Sequence, residues 1–155
     1  MHLRMVLTLK YNLHMVFRLV ILVQFIVLTT LLHSQSFSDY KVVGNTTGVT
    51  ELTQAQVKSY FKAKYTLWGN GKSVKVVLHS SESTQAEKLA KLVYNTSHQG
   101  VKKYWLSLVF QGRANPPVYF DSDSEVLEYV KKTPGAIGIV QKATSCPSQY
   151  IIQIK

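Results

Sequence analysis

The chain has 155 residues, with 18 Lys and Arg against 8 Asp and Glu, a formal net charge of +10, and 46% hydrophobic residues. That apolar fraction excludes a natively disordered chain and suffices for one core. The basic excess is dispersed: past residue 36 its longest runs are the pairs Lys102-Lys103 and Lys131-Lys132, and Arg113 is the sole arginine there. Such spacing excludes a nucleic-acid binder and leaves a solvated basic surface, small anions or an anionic membrane surface to account for the charge.

In chain order, residues 1 to 18 carry Arg4, Lys10 and Arg18 with no acid, and Leu19 to Leu32 is an uncharged apolar run. Ser34 and Ser36 then fall at the minus-3 and minus-1 places of a signal-peptidase site, so the sequence predicts a signal peptide over residues 1–36 and one domain over residues 37–155. The alternative is a retained anchor, although fourteen uncharged residues are short of the ~20 that span a bilayer; membrane contact is expected only if that segment is kept. Met15 offers a second start. The 119 residues from 37 to 155 keep 15 basic and 8 acidic side chains, a net +7. Cys146 is the only cysteine, so no internal disulfide is possible, and it is expected as a buried thiol or an occasional intermolecular bridge.

The first strand is expected at Tyr40 to Asn45, followed by the loop "TTGVT". Thr53 and Gln56 have the spacing of a capping box that opens a helix with Val57, Tyr60 and Phe61 on one face. "WGNGKSV", Trp68 to Val74, ends like a phosphate-binding P-loop, but Thr66 stands where its first glycine belongs and a β-branched run follows. It is a tight turn before a second strand, Ser73 to Ser80, whose valines and leucine suit burial on both faces. Ala86, Leu89, Ala90 and Val93 predict a second helix, and Val101, Tyr104, Trp105 and Leu108 a third, from about His98. After the loop "QGRANPP", Ser122 and Glu125 form another capping box for a helix with Val126, Leu127 and Val130, ending at Thr133-Pro134-Gly135. "AIGIV", Ala136 to Val140, and "QYIIQIK" close the chain as strands. The alternation predicts α/β architecture with a mostly parallel sheet.

Enzyme chemistry finds little material. His79 and His98 lack the spacing of a metal pair, there is no nucleophile elbow, and Asp121, Asp123, Glu125 and Glu128 are expected to answer a helix dipole. A non-enzyme without metal or cofactor is expected. "HSSEST" is better placed for binding, between a strand end and a helix start, where Ser81, Ser83 and Thr84 offer hydroxyls and the first turn offers free amides. The alternative is that these serines only cap the helix. Thr46 and Thr47 in "NTTG" would form a second donor loop at the same edge if the two strands are parallel neighbours.

The runs "VVGNTTGVTELTQAQVKSYFKAKYTLWGNGKSVKVVLHSSEST", "YWLSLVFQG" and "VLEYVKKTPGAIGIV" resemble the phosphate-type periplasmic substrate-binding proteins of bacterial ABC importers, above all their short, stand-alone relatives. Trp68 with Asn70-Gly71, and Pro134-Gly135-Ala136-Ile137-Gly138, are the most specific pieces, and the likeness extends over about residues 40 to 141. It implies a three-layer, periplasmic-binding-protein-like (type II) single lobe, a periplasmic location, and phosphate or a similar oxyanion bound for an ABC-type phosphate transport system. The transporter or another periplasmic protein would be the partner, and the sequons at Asn45 and Asn95 would be silent. His79 stands where the family places an arginine and Ser83-Thr84-Gln85 where it places Ser-Gly-Thr. The ligand set so implied is Thr46, Thr47, His79, Ser81, Ser83 and Thr84, in half of a two-lobed clamp that binds loosely or is completed by a second protein. The alternative is a non-enzymatic periplasmic interaction module that keeps the fold without the ligand.

Overall fold

Neighbouring residues of each central strand point to opposite faces of one sheet, and both faces are covered. Val42, Val76, Ile137, Ile139 and Ile152 enter one core cluster while Val43, Val77, Ala136 and Val140 enter another. This is the physical reason why the second and last-but-one predicted strands read as unbroken apolar runs. The structure is a computed structural model that describes Arg18 and residues 36–155. The predicted signal segment, residues 1–36, thus lies outside the described residues except for Arg18 and Ser36.

The elements are β1 (Tyr40–Gly44), β2 (Glu51–Leu52), α1 (Gln54–Phe61), β3 (Lys75–His79), α2 (Ala86–Leu89, continued as a π-helical turn over Ala90–Tyr94), α3 (His98–Phe110), β4 (Val118–Phe120), α4 (Asp123–Lys132), β5 (Ala136–Gln141) and β6 (Ile151–Ile154). The strand order is β2-β6-β1-β5-β3-β4. β3 runs parallel to β4 and β5, β2 runs parallel to β6, and β1 runs antiparallel to both β5 and β6. Five strands therefore share one direction and β1 alone opposes them. α1, α2 and α3 cover one face through Val57, Phe61, Leu89, Val93, Val101 and Trp105, and α4 covers the other through Val126, Leu127 and Val130. The result is three layers, helix on sheet on helix, with a mostly parallel sheet.

Both capping boxes form. Thr53 Oγ1 accepts from Gln56 N at 3.2 Å while Gln56 Oε1 accepts from Thr53 N at 2.8 Å, and Ser122 and Glu125 repeat the arrangement on α4. Each such cap satisfies orphan amides and is worth ~1 kcal/mol. The turn Trp68–Gly71 closes with Gly71 N donating to Trp68 O at 2.9 Å, and the Trp68 indole is buried, stacked on Tyr60 with Nε1 donating to Gly135 O at 2.9 Å. Gly135 sits at φ +82°, where an added Cβ would lie 2.3 Å from Ser73 O. Its amide donates to Asn45 O and its carbonyl also accepts from Lys75 N. One peptide thus ties the end of β1, the start of β3 and the Trp68 turn together. The short strands β2 and β4 lie in segments that the sequence pattern assigns to no element.

Candidate functional site

Parallel pairing with β4 and β5 brings the carboxyl end of β3 to the sheet edge where an open α/β fold exposes strand ends and helix starts. There the chain turns through Ser80 to Gln85 into α2. Its own side chains fold this turn: Ser83 N donates to Ser80 O at 3.1 Å, Glu82 N to Ser80 Oγ at 3.2 Å, and Gln85 N to Ser83 Oγ at 3.2 Å. Ser80 Oγ donates to the Asp121 carboxylate, which follows β4.

His79, the last residue of β3, is buried, with only 2% of its side chain exposed. Its Nε2 lies 3.0 Å from Ile139 O and 3.3 Å from Asp123 Oδ1, and its Nδ1 lies 2.9 Å from Ser83 Oγ. A carbonyl and a carboxylate can only accept, so Nε2 carries a proton, and in the neutral ring Nδ1 takes the proton of the Ser83 hydroxyl. Asp123, at the first turn of α4, is fixed from the other side by Gln141 N at 2.9 Å and Thr144 Oγ1 at 2.6 Å on its Oδ2. The chain His79, Ser83, Gln85 therefore braces the turn from below, with Asp123 Oδ1 beside the imidazole but without a hydrogen bond of its own among the described residues. Neither His79 nor Ser83 has a donor left for a ligand.

Ser81 and Thr84 differ: both are exposed, and among the described residues neither their amides nor their hydroxyl protons find an acceptor. Thr84 Oγ1 only accepts, from Gln85 Nε2 at 3.3 Å. These two residues are the outward-facing donors of the predicted set.

Thr46 and Thr47 are not part of this site, and the expected facing loop does not form. Because β1 is antiparallel to β5, Gly44 pairs with Ile137 near the start of β5, whereas Tyr40 pairs with Gln141 at its end. The "NTTG" loop consequently lies at the opposite edge of the sheet. There Thr46, at φ 53°, bonds Asn45 Oδ1 at 2.8 Å and gives its carbonyl to Asn70, and Thr47 is buried with its hydroxyl on Val49 O at 3.1 Å.

The antiparallel run of β1 instead brings Tyr40 to the site, where its hydroxyl donates to Gln85 Oε1 at 3.2 Å. Burial, then the charges of Asp39 and Asp123, push the Tyr40 phenol above its ordinary range. Sequence reasoning missed Tyr40, Gln85 and the structural part of Asp123. A carboxylate immediately after an N-cap serine reads as a dipole partner, and nothing local shows that it reaches Gln141 and Thr144. Among the described residues no three His, Cys, Asp or Glu side chains cluster as metal ligands would.

No protein-family model matches the chain, and no curated protein matches it. Solved structures do. An ABC-type phosphate transport receptor from Vibrio cholerae superposes with a TM-score of 0.57 at 18% identity over 75% of this chain and 46% of its own. PstS from Borrelia burgdorferi gives 0.58 at 14% identity over 76% and 47%. A Clostridium perfringens protein assigned as a phosphate ABC transporter substrate-binding protein, with bound phosphate, gives 0.56 at 16% identity over 75% and 44%. The chain spans a little under half the length of these structures. With the layer order and strand directions above, the likeness shows that the chain has the three-layer, periplasmic-binding-protein-like fold of a single lobe of such receptors.

Proposed function

We propose that the chain is an exported, solute-binding-like protein that holds phosphate or a similar oxyanion at the turn between β3 and α2, serving an ABC-type phosphate transport system from the periplasm. The observation that carries this reading is the pair of outward donors, Ser81 and Thr84, each with an unspent amide and hydroxyl proton at the carboxyl end of a parallel strand. In this reading Ser81 and Thr84 grip the anion, while His79 and Ser83 hold the turn in shape. A clamp of this fold with one lobe leaves its ligand facing water, where each bond is weaker, so a second lobe or partner protein is expected to complete the cleft.

A second reading, a non-enzymatic interaction module, is favoured by the carboxylates at the same edge. Asp121, Glu82 and Asp39 are exposed there, and among the described residues no ion pair balances them. Calorimetric titration of the protein with sodium phosphate separates the two. The oxyanion reading expects heat that falls about tenfold in affinity in Ser81→Ala and Thr84→Val, since hydrogen bonds to charged groups are worth ~1.5 to 3 kcal/mol, and is unchanged in Thr46→Val at the far edge. Absence of heat, or equal loss in Thr46→Val, refutes it and leaves the interaction module.

A further inference from the structure

The outer face of α3 carries Phe110, the most exposed large apolar side chain among the described residues. Val101, Trp105 and Leu108 turn into the core. Turned away from them, at i, i+4 and i+8, runs the exposed stripe Lys102, Leu106 and Phe110, with Lys103 beside Phe110 on the helix wheel. Phe110 is 83% exposed and Leu106 57% exposed, so the two largest apolar exposures on this helix are adjacent and bare. Single exposed apolar residues are ordinary, but an apolar pair framed by cations on one helical stripe is the pattern of a helix that lies on an anionic bilayer.

The surrounding charge is one-sided. From Lys88 to Phe120 the sequence has Lys88, Lys91, Lys102, Lys103 and Arg113 and no Asp or Glu. Tyr104 donates its hydroxyl to Lys62 O at 2.7 Å and so docks the end of α1 against the helix. The carboxylate that contacts α3, Glu87, accepts from His98 N at 2.8 Å at the first turn, about 18 Å along the axis from Phe110 at 1.5 Å per residue.

We propose that the outer face of α3 docks on an anionic phospholipid surface, with Phe110 and Leu106 entering the headgroup boundary and Lys102, Lys103 and Arg113 pairing with lipid phosphates. Charge complementarity selects this occupant over an apolar protein groove, which would leave the lysines unpaired. Among the described residues no helix is long and apolar enough to cross a membrane, so the contact that α3 itself makes is peripheral.

The test is hydrogen exchange on the full chain with and without vesicles of phosphatidylcholine alone or with 30% phosphatidylglycerol, binding being confirmed by co-sedimentation. The expected result is slowed exchange in peptides covering residues 106–113 with the anionic vesicles only, unchanged exchange over residues 123–132, and loss of the slowing in Lys102→Glu/Lys103→Glu and in Phe110→Ser. At ~1 kcal/mol per cation near the surface, losing the two lysine charges alone weakens the contact about 30-fold, and the reversed charges of the double variant weaken it further. Vesicle-bound protein with no slowing at 106–113, or equal slowing on neutral vesicles, overturns the proposal. Slowing that follows protein concentration without vesicles also overturns it, and assigns the face to a second copy of the chain.

Discussion

Replacing Asp123 by Asn keeps the shape of the side chain and inverts half of its hydrogen-bonding capacity, so it tests the bracing of the β3–α2 turn directly. The carboxylate receives Gln141 N and Thr144 Oγ1 on one oxygen and faces His79 Nε2 with the other. An amide has one accepting oxygen. If that oxygen serves Gln141, the NH₂ group is set against the His79 Nε2 proton. The His79 donor keeps Ile139 O at 3.0 Å, so the cost is that of turning bonds to a carboxylate into bonds to a neutral amide, ~1 kcal/mol, and loss of negative charge at the first turn of α4 adds ~0.3 to 1 kcal/mol. The expected destabilisation is about 1 to 2 kcal/mol, read as a lower urea midpoint at unchanged slope. The imidazole can relieve the clash by moving its proton to Nδ1, which gives up the bond to Ile139 O. It would then donate to Ser83 Oγ and release the Ser83 proton toward the ligand edge. Nitrogen-15 shifts of the two His79 ring nitrogens report this: Nε2–H in the native protein and Nδ1–H in Asp123→Asn. A native protein with the proton on Nδ1, or a variant losing less than ~0.5 kcal/mol, would refute the arrangement.

Two further outcomes follow from the packing and the titration of single groups. Gly135→Ala forces a Cβ to within 2.3 Å of Ser73 O at a φ of +82°; positive φ alone costs ~1 to 2 kcal/mol and the backbone collision adds to it, so a loss above about 3 kcal/mol is expected in urea unfolding, and a loss under 1 kcal/mol would contradict the hub assigned to this peptide. Burial, then the charge of Lys102, lowers the His98 pKa, with Glu87 opposing. The unfolded chain therefore binds the proton first, and the stability linked to His98 is complete above an unfolded pKa of ~6.5 and lost as pH falls from there through the folded value. His98→Gln should remove that part of the acid-side slope of the melting temperature, and an unchanged slope would exclude His98 as its source.

Local chemistry made much of the fold legible. The two capping boxes, the apolar periodicity of α1, α3 and α4, and the apolar runs of β3 and β5 each state their own structure within about ten residues. β1 is legible as a strand, but its direction is not, because antiparallel pairing with both β5 and β6 is settled by contacts more than ninety positions away. That one undetermined direction moved Thr46 and Thr47 from the site to the opposite edge and brought Tyr40 in their place. β4 was hidden for a related reason: three half-buried residues after two prolines have no periodicity to display, and only β3 makes them a strand. At the site itself the donor-rich turn was readable, and the division between donors that face outward and donors already spent on His79 was not.

The sheet ends on one side in the two-residue β2 and on the other in the three-residue β4, which Pro116 and Pro117 precede. Such stubs offer an incoming strand almost no ladder to join, and proline supplies no donor to extend one. Growth of the β-structure from one molecule into the next is thereby discouraged at both margins. Any lobe or partner that completes this protein must therefore recognise it through side chains projecting from helices and loops, and specificity for that companion will be set by surface residues rather than by backbone pairing.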